Sequence, residues 1–203
     1  MFHLLRHASH GHVGRVLTGR LPGAPLTGEG REEALALGRH MAGEKLDAIY
    51  ASPRLRAQQT AEIIARETRV ESRTAEELDE IDFGGWSGRS FDDLAADPAW
   101  RIWNEERGSA ATPAGDTMER AAARITGFME RLCRERAGQH LALVSHCDVI
   151  KAALCRYLDL PFQSVHGFEI APASITTLAI GKGGATLIAQ NVRPAQLPVG
   201  ALA

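Results

Sequence analysis

Phe2-His3-Leu4-Leu5-Arg6-His7-Ala8 sets a short apolar run against a cationic end. Residues 2–5 have the length of a buried strand, and Arg6-His7 would stand at its carboxyl end. His140-Leu141-Ala142-Leu143-Val144-Ser145-His146 repeats that layout, an apolar strand over residues 140–145 ending on a histidine. A third candidate, residues 47–52, runs out into Ser52-Pro53-Arg54-Leu55-Arg56. Helical periodicity fills the intervals. Thr27 can cap a helix reaching about residue 44, with Ala34, Leu35, Leu37, Gly38 and Met41 inward. Pro53 suits the first turn of a helix reaching about residue 68, with Ala57, Ala61, Ile64 and Ala65 inward. Residues 117–136 read as a long amphipathic helix and residues 149–158 as a shorter one. A further short strand is expected near residues 70–73. Residues 174–180 and 185–192, on either side of Gly181, Gly183 and Gly184, read as an antiparallel hairpin.

Strand–helix alternation closed by a hairpin implies an α/β fold, a mostly parallel sheet flanked by helices on both faces. Ligands of such sheets bind beyond the carboxyl ends of the strands. Arg6-His7, residues 52–56 and Ser145-His146 all fall at such ends, so they are expected to converge. Residues 1–193 read as one domain. Within it, residues 76–115 form an inserted segment that concentrates Phe83, Trp86, Phe91, Trp100 and Trp103 and is expected to make a lid or wall. Core packing is the simpler role for each tryptophan. Residues 194–203 read as a loose tail.

At 203 residues, 44% hydrophobic and 24% charged, the chain can build a core without staples. A net charge of −2 gives no case for nucleic acid or anionic membrane. No apolar run approaches the roughly 20 residues of a membrane span. The chain enters its first strand with no basic leader. Cys133, Cys147 and Cys155 are odd in number and fit no metal-ligand spacing, which points to reduced thiols and the cytoplasm. Only three of the 23 basic residues are lysine. Base composition of the genome accounts for that total, but individual arginines suit bidentate phosphate recognition.

His7, His146, Arg6, Arg56 and Glu80 together supply a nucleophile, cationic donors and a carboxylic acid. Phosphoryl transfer needs those parts: positioning, neutralisation of the equatorial oxygens and a proton for the leaving group. His7, His10 and His12, with His3 near in sequence, also raise a metal site. No carboxylate cluster accompanies them, and loop histidines beside an anionic substrate fit better.

These residues carry a family resemblance. Leu4-Leu5-Arg6-His7-Ala8 resembles the Arg-His-Gly motif of the histidine phosphatase superfamily, which includes the cofactor-dependent phosphoglycerate mutases. Leu26-Thr27-Gly28-Glu29-Gly30 is similar to the opening of that family's first helix. Ser52-Pro53-Arg54-Leu55-Arg56-Ala57-Gln58-Gln59-Thr60-Ala61 is similar to its second-arginine motif. Glu80-Ile81-Asp82-Phe83-Gly84-Gly85-Trp86-Ser87-Gly88 resembles its acid loop, and Val144-Ser145-His146 its second-histidine strand. Order and spacing match from residue 2 to about residue 155.

The resemblance implies a phosphoglycerate mutase-like fold and a metal-free, cofactor-free reaction on a small phosphorylated substrate. His7 would attack phosphorus, while Arg6, Arg56 and a protonated His146 hold the phosphoryl oxygens. Glu80 would protonate the leaving group. Ser9, Gly19, Arg20 and Cys147 are further substrate-binding candidates, with Arg15 or Arg20 available to a second acidic group. Ala8 and Cys147 replace the usual glycines. Residues 9–15 lack the Asn and the acidic or Gln residues typical of mutases, so a phosphatase is favoured. A phosphoglycerate-type mutase and a non-catalytic phosphate or partner sensor are the alternatives. Cys147 is expected to be a wall residue rather than a nucleophile, Arg54 to be solvated, and Asp79 and Asp82 to be loop carboxylates. The strand near residues 70–73 offers a route to a homodimer.

Overall fold

Alternate residues of β1 (Phe2–Arg6) serve two different cores, because successive side chains of a strand point to opposite faces. In this computed structural model, which describes residues 1–181 and 183–194, Phe2 and Leu4 pack with one cluster and Leu5 with another. The same alternation runs through β2 (Ala48–Ala51) and β4 (Leu141–Ser145). Tyr50, Leu141 and Leu143 join the first cluster, whereas Ile49, Ala142 and Val144 join the second. Helices α1 (Gly28–Ala42) and α2 (Leu55–Thr68) cover the second face with Leu37, Met41, Ala57, Ala61 and Ile64.

The opposite face carries α5 (Met118–Glu135) and α6 (Cys147–Tyr157), through Ile125, Met129, Val149 and Ile150. Residues 76–115 leave the sheet through α3 (Phe91–Ala95) and α4 (Pro98–Glu105) and return Trp86 and Trp103 to that same core. Trp103 is fully buried.

The sheet order is β3-β2-β4-β1-β5-β6, with β3 (Ser72–Thr74), β5 (Ile175–Gly181) and β6 (Gly184–Val192) completing it. β3, β2, β4 and β1 run parallel, and β5 and β6 form the antiparallel hairpin at one edge. The mostly parallel sheet covered on both faces is therefore as the sequence implies. Parallel strands also point their carboxyl ends the same way, so Arg6 registers beside Ser145 and Ala51 beside Val144.

Several boundaries differ from expectation. The short strand lies at Ser72–Thr74 rather than residues 70–73, at the sheet edge beyond β2. α2 begins at Leu55 because Arg54 stays extended, its amide donating to Ser52 Oγ at 3.3 Å, which leaves Pro53 outside the helix. α6 starts at Cys147, two residues early. Leu35 and Ala65 are half-buried, and Glu33 takes an inward position on α1, where its carboxylate accepts the Ser9 amide at 2.8 Å. His3 lies on the α1 side of β1, and burial lowers its pKa to about 4, which keeps it neutral. Of the expected tail, residues 195–203 lie outside the described residues.

Candidate active site

Three strand ends and one helix start meet at the carboxyl edge of the sheet. β1 delivers Arg6 and His7, β4 delivers Ser145 and His146, and β2 delivers Ser52. The His7 amide donates to the Ser145 carbonyl at 3.0 Å, which extends the ladder past the strands and ties both histidines to one frame. Arg56, on the first turn of α2, reaches between them and is only 2% exposed.

The hydrogen bonds fix the tautomers. His7 Nδ1 lies 2.9 Å from the Ala8 carbonyl, which can only accept, so Nδ1 carries the proton. The lone pair is left on Nε2, which accepts from Arg56 Nε at 3.2 Å. Burial, with the positive charges of Arg56 and Arg6, holds the His7 pKa well below its ordinary value. His7 is thus a neutral imidazole with its nucleophilic nitrogen beside a guanidinium.

His146 is wholly buried and 5.1 Å from His7 between ring centroids. Arg56 Nη2 donates to its Nδ1 at 3.0 Å and to the Gly19 carbonyl at 2.7 Å. His146 Nε2–H donates to Ser52 Oγ at 2.7 Å. Burial and the nearby Arg56 hold its pKa well below the ordinary value as well. The expected protonated His146 is therefore not what this set of neighbours favours; a cation would have to face Arg56 directly. Gly19 sits at φ +51, where a Cβ would come within 2.6 Å of Ser87 Oγ, so glycine is what lets its carbonyl face Arg56.

Glu80 lies on the loop opposite, its Oε2 3.8 Å from His146 Nδ1. Burial raises its pKa to about 7, and Asp148 on the first turn of α6 adds to the rise, against Arg56 and Arg6. Burial would raise Asp148 too, but Arg107 at 3.1 Å outweighs it, so Asp148 stays ionised. One carboxyl of the pair is thereby held as an acid and the other as an anion, the separation that acid–base work requires.

Asp79 has a larger part than a loop carboxylate. It is 4% exposed and accepts from Arg54 at two points, 2.8 and 2.9 Å, so Arg54 is a clamp rather than a solvated helix residue. Its Oδ1 also accepts the Glu80 amide at 2.8 Å and the Ser52 hydroxyl at 3.4 Å. Asp79 thus ties the acid loop to the His146 side of the site.

A cavity of about 340 Å³ opens over these groups. Arg6, His7, Gly19, Arg56, Glu80 and Cys147 all line it, and His146 lies beneath. Phe83, Phe91 and Trp100 give it apolar lining; Asn104, Arg107 and His166 give it polar lining. His10 also reaches the lining, 5.2 Å from His7 between ring centroids, and Trp100 alone of the three tryptophans does so. Ser9 and Arg20 are not part of it. Arg20 turns to Asp79, Asp82 and Asp116, which satisfy its charge, and donates to the Glu80 carbonyl at 2.7 Å. Arg15 is likewise absent from the lining and binds the Gly11 carbonyl.

Burial pushes the Cys147 thiol up to about 11, so it is an inert wall residue. Neither Ala8 nor Cys147 has a positive φ, and both replace glycine without backbone strain. Sequence reasoning missed Asp148 and Arg107. The only sequence signal for Asp148 is a position two residues past His146, and nothing in the sequence pairs it with Glu80.

The sequence model of the Histidine phosphatase superfamily (branch 1) matches residues 2–193. The adenosylcobalamin/alpha-ribazole phosphatase of Escherichia coli (strain K12) is 26% identical over 193 residues, 94% of this chain and 95% of that protein. Phosphoserine phosphatase 1 of Hydrogenobacter thermophilus is 27% identical over 169 residues, 82% of this chain and 80% of its own. A crystal structure of a phosphoserine phosphatase mutant from Entamoeba histolytica in complex with phosphoserine superposes with a TM-score of 0.85 at 26% identity. That alignment covers 95% of this chain and 96% of the other.

Proposed function

Because the chain belongs to the histidine phosphatase superfamily, we propose that it hydrolyses small phosphomonoesters through a phosphohistidine on His7. The observation that carries this reading is the His7 tautomer: Ala8 holds Nδ1–H, which leaves the lone pair on Nε2, beside Arg56 Nε, in a residue that lines a cavity with Arg6, Arg56 and Glu80. Nε2 attacks phosphorus, the N–P bond forms, and the bond from phosphorus to the ester oxygen breaks. Arg6 and Arg56 neutralise the phosphoryl oxygens. Glu80 gives its proton to the departing alkoxide. Water then attacks phosphorus, Glu80 takes a proton back, the N–P bond breaks and inorganic phosphate leaves. A phosphoryl dianion beside His146 also adds the negative charge that would favour its protonation, so substrate itself would supply the third cation. No step needs a metal or an organic cofactor.

Phosphoserine and ribazole phosphates, the substrates in the relatives' names, are the classes to screen first. The polar lining of the cavity, with Arg107 and His166, favours esters that carry a second polar group. The three free thiols would stay reduced in the cytoplasm, where we place the reaction. The test is steady phosphate release from p-nitrophenyl phosphate with excess chelator, for the wild type and His7→Ala. Turnover that survives the chelator and vanishes in the variant is expected. Turnover lost to the chelator, or kept by the variant, contradicts the reading.

A further inference from the structure

At the other end of β1, about 13 Å along the strand from His7, a second group of histidines surrounds a separate cavity of about 310 Å³. Among its lining residues, three donors come from different elements: the start of β1 (His3), the turn after α1 (Glu44) and the residue before β4 (His140). One ligand-type atom from each of these three residues lies within 4.8 Å of the other two. His3 is 3% exposed, yet its Nε2 has no hydrogen-bond partner among the described residues, and neither does the buried Nδ1 of His140. The Glu44 carboxylate is 3.9 Å from His3 Nε2, too far for a hydrogen bond.

We propose that His3, Glu44 and His140 bind a borderline divalent transition-metal ion of the zinc class, independently of the active site. Two imidazoles and one carboxylate are the donor set such ions prefer, with a remaining position for water. His3 Nδ1 lies 3.2 Å from Thr177 Oγ1, the outer hydrogen bond that orients a ligating imidazole and leaves Nε2 for the metal. His140 is held in place by its backbone, which exchanges hydrogen bonds with Asp47 at 2.7 and 2.9 Å. Bonds of about 2.0–2.2 Å in a tetrahedron put ligand atoms roughly 3.4 Å apart, so the His3–Glu44 pair, now at 3.9 Å, has to close by about half an ångström, and the pairs with His140, all within 4.8 Å, by at most about 1.4 Å. The Glu44 side chain is 40% exposed on a turn and free to move. The ion would fasten the end of α1 to the two central strands and so act on stability rather than on catalysis. His3, which the sequence sets near His7, His10 and His12, thus lies at the opposite end of β1 from His7, in a separate cavity.

The test is Zn²⁺ titration of the full chain, by calorimetry and by the rise in Tm with zinc concentration, on the wild type, Glu44→Gln, His140→Ala and His10→Ala. One equivalent is expected to bind to the wild type and to His10→Ala. In Glu44→Gln and in His140→Ala the affinity should fall by more than the about 10–100-fold that loss of an outer-shell partner costs. Co²⁺ should give the absorption of a low-coordinate histidine site, lost in the same two variants. Two outcomes overturn the proposal: zinc binding unchanged by Glu44→Gln and His140→Ala, or no binding at all, which would leave a water bridging the three residues. Both substitutions are at the surface end of the fold, so phosphate release from p-nitrophenyl phosphate verifies that each variant is folded. Phosphatase activity is expected to be the same in both, and its absence in the wild type would bear on the function proposed above and not on zinc binding.

Discussion

The surroundings of Glu80 hold its proton up to near neutral pH, as the acid role proposed for it requires, and Asp148 is the neighbour whose charge a single substitution removes. Burial is the main cause of the raised Glu80 pKa, and the Asp148 charge is the next. In Asp148→Asn that charge is gone, while Arg56 and Arg6 still favour the carboxylate. The Glu80 pKa must then fall, so the protonated form disappears at lower pH and the alkaline limb of kcat moves toward acid. The loss at pH 7 should stay within the about 10²–10⁴-fold that general acid catalysis contributes. It should be larger for an alkyl phosphate, whose leaving group needs the proton, than for p-nitrophenyl phosphate. An alkaline limb that stays in place would rule out Asp148 as the residue that sets Glu80. Arg6, His7, Arg56, Glu80 and His146 were legible as a set because each stands at a strand end or in a motif. Asp148, Arg107 and the Arg54–Asp79 clamp were not, since each owes its role to a partner distant in sequence: Asp148 lies 41 residues from Arg107, and Asp79 25 from Arg54.

The first turn of α1 shows how elements, rather than single residues, hold His7 in place. Thr27 caps the helix by accepting the Gly30 amide at 3.0 Å, as its position before the apolar stripe implied. Gly30 itself lies against the Ser9 backbone, and a Cβ there would fall 1.9 Å from the Ser9 carbonyl oxygen. Gly30→Ala must push α1 away from the strand that carries His7-Ala8-Ser9. Overpacking of this kind costs about 1–3 kcal/mol, or a Tm lower by roughly 2–12 °C for a chain of this size. Activity should fall further than the loss of folded protein explains, because Ala8 supplies the carbonyl that fixes the His7 tautomer. A variant with the wild-type Tm would show that the contact does not constrain α1. Periodicity found α1 and α5 because a 3.6-residue stripe survives in sequence. It misplaced β3, whose Ser72-Arg73-Thr74 is polar and defined only by pairing with β2.

Across the whole molecule, the parallel sheet separates two chemistries by direction. Its carboxyl ends gather cations and an acid around His7, and its amino ends gather His3, Glu44 and His140. The first gathering could be anticipated, since alternation of strands and helices dictates which ends face the same way. The second could not, because the neighbourhood of Glu44 and His140 depends on how α1 lies across β1 and β4. The charge state of His146 was equally hidden: the motif places the ring, but only the packing shows that Arg56 donates to Nδ1. The central claim is the covalent bond to His7 Nε2, and trapping it is the direct measurement. Enzyme mixed with a phosphomonoester is quenched in alkaline denaturant within the first turnovers, and the digested peptides are analysed by mass spectrometry. The account predicts one phosphoryl group on His7, labile in acid and stable in alkali, and none in His7→Ala. Steady turnover with no phosphorylated peptide, or with the label on another residue, would contradict it.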